Sequence, residues 1–219
     1  VPDQSASTPS VLDGLSLEEL VSLLSGRNFW ETQDLPGALI RAVKTSDGPH
    51  GLRTQAKSSD HLGLGASEPS TCFPTAVTLG ATWDPDLVSE VGAAIAAEAR
   101  DLGVSVVLGP GVNIKRHPLG GRNFEYFSED PLLTGRLAAA WVTALQAAGV
   151  GASLKHFAAN NQEDHRFVSS SVVDPRTLRE LYLRAFEHVV REAQPWTVMC
   201  SYNLLNGIPA SEDRWLLTD

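Results

Sequence analysis

The 219-residue sequence predicts an α/β fold, part of a (β/α)8 barrel, in which short buried strands alternate with helices. Two observations predict it. Three long helix-forming stretches each begin with the dipeptide Asp-Pro, and apolar runs of strand length lie between the helices. A regular succession of strand and helix implies parallel pairing with right-handed crossovers. An open doubly wound sheet satisfies the same pattern, so other residues must decide between the two architectures.

The helices carry recognisable start and stop signals. The aspartates that begin the three long stretches can accept hydrogen bonds from free N–H groups of the first helical turn. A proline follows each of them, and its missing N–H costs nothing at that position because the helix offers no acceptor for it. These aspartates are Asp84, Asp130 and Asp174. Gly103 and Gly149 favour a left-handed stop for the first two helices. Ser16 and Glu19 have capping-box spacing for an earlier helix, and residues 211–219 resemble the start of another.

Five runs between the helices are predicted as strands. Most are apolar on both sides, as strands covered by helices should be. They are residues 41–48, 75–81, 104–110, 151–158 and 197–203.

Polar side chains stand at or just after the carboxyl ends of several predicted strands. They are Asp47, Asn113, Lys155, His156, Ser201, Tyr202 and Asn203. A barrel brings the loops after all its strands to one face, whereas an open sheet concentrates its site at one switch point. The chain also lacks the glycine-rich loops that are typical of nucleotide-binding sheets. The sequence therefore favours the barrel.

The number of strands is too small for a complete barrel. A (β/α)8 barrel has eight strands and typically about 250 residues, and only about five strands are found here. We therefore expect residues 12–219 to be the N-terminal part of a barrel. The polar residues 1–11 are expected to form a disordered lead-in.

Composition limits the classes of partner. Hydrophobic residues make up 42% and charged residues 20% of the chain, which is typical of a globular protein. A formal net charge of −9 argues against nucleic acid or an anionic membrane as a partner, because both attract clustered cations. The two cysteines, Cys72 and Cys200, provide no disulfide framework. The histidines lack metal-site spacing, so neither a metal nor a cofactor is expected.

Charge is concentrated in one short loop. The run KHFAANNQEDHRF, residues 155–167, directly follows an apolar stretch. Lys155 and His156 at its start indicate a binding site, although a solvated strand end is the simpler alternative. Glu163 and Asp164 are expected to orient the loop.

Five motifs occur in the order found in one enzyme family. The sequence resembles the N-terminal barrel of glycoside hydrolase family 3, in its bacterial β-glucosidase branch, over residues 12–219. The motifs are SDGPHGLR, FPTAVTLGATWDPDL, GPGVNIKRHPLGGRNFEYFSEDP, KHFAANNQEDHR and VMCSYNLLNGIPA.

The resemblance implies a pocket for the nonreducing glucose, called the glycone. Asp47 would grip hydroxyls on the far side of the sugar, and Arg122 matches the sugar-binding arginine of the family. Lys155 and His156 would donate to neighbouring hydroxyls, and Arg166 would complete that loop. Charged partners form strong hydrogen bonds with hydroxyls. The cations only donate and the carboxylate only accepts, so each one fixes whether the hydroxyl it contacts acts as an acceptor or as a donor.

The resemblance also implies what the pocket needs beyond these groups. Met199 and Tyr202 would form the wall beside the anomeric carbon. The nucleophilic aspartate of the family lies in an SDW-type motif beyond Asp219, and the acid/base belongs to a later domain. Asp219 itself matches the preceding helix start. We therefore expect no catalytic residue in this segment, and no activity from the segment alone.

Several candidates have a structural alternative. Asp47 precedes Gly-Pro and could serve only as a turn former. Arg122 and Arg116 could instead form structural ion pairs with Glu125, Glu129 or Asp130, and this alternative is favoured for Arg116. Met199 could fill the core.

The function implied is that of a retaining, exo-acting β-glucosidase. The loop after Lys155 lacks the Pro-Gly of family members that cleave N-acetylglucosaminides. A β-xylosidase of the same family and a non-catalytic sugar-binding module remain alternatives; a phosphate- or nucleotide-binding domain is disfavoured. The expected partners are a β-glucoside or gluco-oligosaccharide and the remainder of the polypeptide. We expect a soluble protein, either bacterial cytoplasmic or exported.

Overall fold

A computed structural model describes residues 12–55 and 66–219, so the lead-in expected at residues 1–11 lies outside the described residues. The helices are α1 Leu17–Ser22, α2 Ala76–Thr82, α3 Pro85–Asp101, α4 Pro131–Ala147, α5 Pro175–Thr177, α6 Arg184–Ala193 and α7 Arg214–Leu217. The strands are β1 Thr45–Ser46, β2 Val106–Val107, β3 Gly151–Phe157, β4 Ser170–Ser171, β5 Thr197–Cys200, β6 Leu204–Leu205 and β7 Ile208–Pro209. Short 3-10 turns occur at Pro36–Ala38 and Asn123–Glu125.

The main sheet has four parallel strands in the order β1-β2-β3-β5. Thr45 pairs with Val106, Val106 with Gly151, and Ser153 with Thr197. Among the described strands, spatial order follows chain order without the reversal that defines an open doubly wound sheet. The prediction of a partial barrel is confirmed.

The predicted helix signals are present. Asp84, Asp130 and Asp174 each accept hydrogen bonds from the second and third following backbone N–H groups. Gly103 and Gly149 adopt φ values of +67° and +82°, the left-handed conformation that ends the two longest helices. Local chemistry therefore sets these boundaries.

One predicted strand is wrong. Residues 75–81 form most of α2 instead of a strand. Ala76, Leu79 and Gly80 are buried, which is the spacing of one helical face. A Cβ at Gly80 would lie 2.2 Å from the carbonyl oxygen of Phe127, so this face packs tightly. A short apolar run has no periodicity that separates strand from helix, and tertiary packing decided the outcome.

The third Asp-Pro stretch is helical but not uniform. Between α5 and α6, Leu178–Tyr182 forms a wider π-type turn, in which the Leu183 N–H donates to the Leu178 carbonyl at 2.8 Å.

A second sheet was not predicted. It pairs β4 with β6 in parallel and β6 with β7 as a hairpin. Asn206 and Gly207 form the hairpin turn with φ values of 50° and 90°, as the Asn-Gly dipeptide favours. This sheet joins the segment after β3 to the segment after β5.

The core lies between the main sheet and its helices. Its large, fully buried side chains include Ile95, Leu137, Trp141, Val107 and Leu154. In the described part of the chain, no helix combines the length and apolar character needed to cross a bilayer.

Candidate functional site

Lys155 lies at the centre of the site. Its strand, β3, is buried along nearly its whole length, and the Lys155 side chain is only 2% exposed. Its ammonium lies 2.7 Å from Glu125 Oε1 and 3.2 Å from Asp47 Oδ1. A buried ammonium without partners would carry a large desolvation penalty, so these two carboxylates make its burial possible.

Glu125 joins Lys155 to Arg122. The Oε2 atom of Glu125 accepts from Arg122 Nη2 at 2.6 Å and from Nε at 2.7 Å, while Oε1 faces Lys155. Each oxygen of this buried carboxylate therefore has its own cation. Of the ion pairs that the sequence left open, the structure contains the one between Arg122 and Glu125, and no local pattern indicated that Glu125 also neutralises Lys155.

Asp47 follows β1 and remains partly open to solvent, with its side chain 42% exposed. Burial alone would raise the pKa of Asp47, but the Lys155 ammonium and the Gly48 N–H outweigh that effect and lower the pKa. Asp47 is thus a carboxylate, and its exposed part is free to accept further hydrogen bonds.

His156 is held as a neutral ring. Burial, followed by the cations Arg122, Lys155 and Arg166, lowers the pKa of His156 to about 2. Its backbone N–H donates to Asn113 Oδ1 at 2.9 Å, and Asn113 Nδ2 donates back to the His156 carbonyl at 3.0 Å.

The hydroxyl of Tyr126 fixes the His156 ring. It lies 3.1 Å from His156 Nδ1 and accepts a hydrogen bond from Asn160 Nδ2 at 3.1 Å. Burial raises the pKa of Tyr126, so the phenol keeps its proton. This arrangement favours donation from the phenol to Nδ1, which places the ring proton of His156 on Nε2. Tyr126 was not identified from the sequence.

The loop after β3 is organised by Glu163, as predicted. Its carboxylate accepts from Asn160 Nδ2 at 2.9 Å and from Arg166 Nη1 at 3.1 Å, and one oxygen lies 3.9 Å from Arg122 Nε. Glu163 thereby ties Arg166 to the Lys155–Glu125–Arg122 group. Asp164 is exposed.

Tyr202 reaches the site from the segment after β5, and Met199 lies within β5. The Arg166 guanidinium lies 5.3 Å from the ring centroid of Tyr202. Leu154 pairs with Val198, but the register shifts between Leu154 and Phe157, so the role of Met199 beside Lys155 stays a prediction. Met199 is half-buried.

The structure thus brings together most of the residues that the sequence selected, namely Asp47, Arg122, Lys155, His156, Arg166 and Tyr202. Contacts run without interruption from Asp47 through Lys155, Glu125 and Arg122 to Glu163, Arg166 and Tyr202. We call this group, with His156, the Lys155 cluster. Their role in binding a sugar stays a prediction.

The charges of the Lys155 cluster balance. Three cations, Arg122, Lys155 and Arg166, accompany three carboxylates. These carboxylates are Asp47, Glu125 and Glu163. A balanced set of charged donors and acceptors suits an uncharged ligand rich in hydroxyls. No group of three or more potential metal ligands occurs within residues 12–55 and 66–219.

Comparison with known proteins gives a consistent result. Residues 18–219 match the family model described as "Glycosyl hydrolase family 3 N terminal domain". The chain is 51% identical over 209 residues to thermostable beta-glucosidase B of Acetivibrio thermocellus. The alignment covers 95% of this chain and 28% of that protein. It is 53% identical over 212 residues to an exo-alpha-(1->6)-L-arabinopyranosidase of Bifidobacterium longum, covering 96% and 28% respectively.

Solved structures agree. Beta-glucosidase 3B from Thermotoga neapolitana, in complex with glucose, superposes with a TM-score of 0.88 at 42% identity, covering 95% of this chain and 31% of that one. A GH3 beta-glucosidase from Bifidobacterium adolescentis gives 0.87 at 52% identity, covering 97% and 30%. The chain spans about 28% of the length of the two curated relatives described above.

Proposed function

Because the chain belongs to glycosyl hydrolase family 3, we propose that its protein is a retaining, exo-acting β-glucosidase and that this segment supplies the glycone pocket. The observation that carries the proposal is the buried Lys155 ammonium near the carboxyl end of β3, neutralised by Asp47 after β1 and by Glu125. In a barrel this is the face on which active sites lie.

Each group has a definite task in this pocket. Lys155 and Arg122 donate to sugar hydroxyls, and Asp47 accepts from them. His156 donates from Nε2 as a neutral ring, so it adds a directed hydrogen bond without adding a fourth cation. Glu125 and Glu163 position the cations. Ion pairs made before the substrate arrives reduce the ordering cost of binding.

We propose that the two catalytic carboxyls come from other parts of a longer polypeptide. Retaining enzymes need a nucleophile and an acid/base about 5 to 5.5 Å apart. Glu125, Glu163 and Asp47 are each already paired with a cation, which suits binding and positioning more than acid/base exchange. The remaining polypeptide is therefore a required partner, and residues 1–219 alone are expected to be inactive.

A pentopyranoside is the second candidate substrate. One relative at 53% identity is named an arabinopyranosidase, and a pentopyranose differs from glucose by lacking the exocyclic hydroxymethyl group. Binding to a hydroxyl that the smaller sugar retains would not distinguish the two substrates. The β-xyloside alternative is tested in the same way.

The experiment is a substrate panel with the full-length polypeptide. Aryl β-D-glucoside, aryl β-D-xyloside and aryl α-L-arabinopyranoside are compared by kcat/KM, and the first-formed sugar from the glucoside is examined by NMR. We expect preference for the glucoside and release of the β-anomer. A higher kcat/KM for either pentoside would contradict the proposed glucoside preference, and that pentoside would then be the substrate. Release of the α-anomer contradicts retention, and sugar binding without any turnover supports the non-catalytic module.

A further inference from the structure

One short segment carries three groups on which the Lys155 cluster depends. Residues 122–126, which we call the 122–126 segment, present the Arg122 guanidinium, the Glu125 carboxylate and the Tyr126 hydroxyl. The segment is folded about a 3-10 turn, in which the Glu125 N–H donates to the Arg122 carbonyl at 2.9 Å. So short a turn has few internal hydrogen bonds, and their geometry is poorer than in an α-helix. Its position therefore depends on contacts from outside it.

Lys115 provides such a contact. Its Nζ donates to the Asn123 carbonyl at 2.7 Å and also to the Tyr126 carbonyl. Asn123 is the first residue of the turn and Tyr126 directly follows it, so one ammonium spans the whole turn. The backbone N–H of Lys115 donates to the Ser128 carbonyl at 3.2 Å, which attaches the lysine to the chain just beyond the turn. Lys115 therefore holds the 122–126 segment at both ends of the turn.

The environment of Lys115 fits this task. The residue is half-buried, and burial lowers the pKa of its ammonium to about 8, while the Glu129 carboxylate acts in the opposite direction. The turn presents the carbonyl oxygens of Asn123 and Tyr126 to this ammonium. An ammonium that loses water is tolerated only where acceptors are aimed at it, and these two carbonyls are such acceptors. A lysine needed only for solubility would keep its charged head in water.

Lys44 makes a comparable hydrogen bond away from the 122–126 segment. It is also half-buried, and its Nζ donates at 3.0 Å to the carbonyl of Leu102, the residue that ends α3. Lys44 precedes β1 whereas Asp47 follows it, so this lysine lies at the opposite end of the strand from the pocket. Loss of either lysine removes a hydrogen bond to a carbonyl, but only Lys115 contacts the 122–126 segment. The two lysines therefore separate positioning from general stability.

We propose that Lys115 is a positioning residue for the glycone pocket. It fixes the 122–126 segment, so that the Arg122 guanidinium and the Glu125 carboxylate keep the geometry that sugar binding requires. This inference rests on the proposed β-glucosidase function. Lys115 acts through these groups without touching the sugar. A shift of about 1 Å in groups that hold a substrate can cost roughly a hundredfold in rate, so a lysine outside the pocket can control it.

The test uses the full-length polypeptide with Lys115→Met, Lys115→Arg and the control Lys44→Met. Methionine has no donor, whereas the arginine fork can donate to two carbonyls. The dissociation constant of D-glucose, which is not hydrolysed, is measured by calorimetry, and the free energy of unfolding is measured with denaturant. We expect Lys115→Met to weaken glucose binding about tenfold, the factor for one hydrogen bond to a charged group. Lys115→Arg should stay within about threefold of the wild type, and Lys44→Met within about twofold although it loses stability.

Two results would overturn the role of Lys115. An equal loss of glucose affinity in Lys115→Met and Lys44→Met would assign the effect to general stability. An unchanged affinity in Lys115→Met would show that the pocket keeps its geometry without this lysine.

The pH dependence of glucose binding tests the ammonium itself and does not require Lys115→Met to fold. A neutral amine forms hydrogen bonds about half as strong as those of an ammonium. The wild-type dissociation constant should therefore rise about threefold as the pH increases through the pKa of Lys115, which is about 8. Arginine keeps its charge over this range, so Lys115→Arg should show a flat profile. Parallel profiles for the two proteins would contradict the proposal.

Hydrogen exchange separates this inference from the proposed function. It is measured without ligand, by mass spectrometry of peptides that cover the 122–126 segment. Lys115→Met should accelerate exchange of the Glu125 and Tyr126 N–H groups at least about tenfold, and Lys44→Met should leave it unchanged. If the wild type neither binds glucose nor hydrolyses a β-glucoside, the proposed function fails, and the exchange rates still decide whether Lys115 fixes the segment. Unchanged exchange in Lys115→Met contradicts the inference even when the wild type is an active β-glucosidase.

Discussion

Two neighbouring strands of the same sheet have opposite environments. The first six residues of β3 are buried, including the charged Lys155, whereas Thr197 and Val198 at the start of β5 are exposed. Strand β3 has β2 on one side and β5 on the other, while β5 pairs only with β3 among the described residues. The difference teaches that a buried charge is placed where neighbouring elements supply its partners, which here are Asp47 after β1 and Glu125 in the 3-10 turn after β2.

The outer face of β5 is apolar instead of charged. Val198 and Cys200 line an apolar pocket of about 280 Å³ together with Phe157, Phe186 and Leu217. Val198 and Leu217 are 47% and 51% exposed. We therefore expect substitutions near β3 to act through charge and substitutions near β5 to act through exposed apolar area.

The largest effect is expected from removing the charge of Glu125. Glu125→Gln leaves the buried Lys155 ammonium with one carboxylate fewer, so the free energy of unfolding should fall by about 3 kcal/mol or more. Adding Lys155→Met should recover part of this stability but no activity. The free energies of unfolding of the single and the double variant are measured by denaturant unfolding.

Glu180→Gln is the matched control for Glu125→Gln. Glu180 pairs with Arg176 at 2.9 Å, but both side chains are mostly exposed, so the change should be under about 0.5 kcal/mol. Equal losses for Glu125→Gln and Glu180→Gln would contradict the distinction between buried and exposed pairs.

Asp47→Ala should reduce activity more than stability. The Asp47 side chain is 42% exposed, and Lys155 keeps Glu125 as its partner, so folding should change little. Sugar hydroxyls would lose a charged acceptor, so kcat/KM should fall roughly a hundredfold. This corresponds to a loss of about 3 kcal/mol of transition-state stabilisation. The measurement is full-length kinetics on an aryl β-glucoside, and near-normal kcat/KM would remove Asp47 from the pocket.

His156 should make the protein sensitive to acid. Its pKa is about 2 in the folded protein and ordinarily about 6.5, so between these values the unfolded chain binds a proton that the folded chain does not. The contribution of neutral His156 to the free energy of unfolding is fully present above its ordinary pKa. It decreases as the pH falls below that value, by at most about 1.4 kcal/mol per pH unit.

The variant His156→Gln tests this pH dependence. Denaturant unfolding between pH 7 and pH 4 should show a smaller loss of stability for the variant than for the wild type. Parallel pH profiles would mean that the His156 ring gains a proton without cost.

The smallest effect is expected on β5. Val198→Lys should change the free energy of unfolding by less than about 0.5 kcal/mol, because Val198 is an exposed residue. A lysine on the exposed edge should reduce self-association of residues 1–219 in light scattering. Val172→Lys, at a residue that is 87% exposed and distant from β5 in the chain, is the control. An equal reduction by both variants would assign the effect to net charge.

Local signals in the sequence were sufficient for the helix boundaries. Asp84, Asp130 and the capping pair Ser16 and Glu19 act within one turn, so their geometry follows from nearby residues. The Asn-Gly turn of the second sheet was an equally local signal that was not used. Residues 75–81 were assigned wrongly because their apolar run is compatible with either element until it packs against Phe127.

The sequence by itself determined the alternation of strands and helices, the caps, the family resemblance and the set of polar residues at strand ends. Only the tertiary structure decided which charges pair. Lys155 and Asp47 are 108 positions apart, and Glu125 reaches Lys155 from a separate 3-10 turn. The neutral state of His156 likewise depends on burial and on three cations from two segments of the chain. Desolvation and Coulomb energies depend on distance in space, and residues distant in sequence acquire that distance only when the sheet forms.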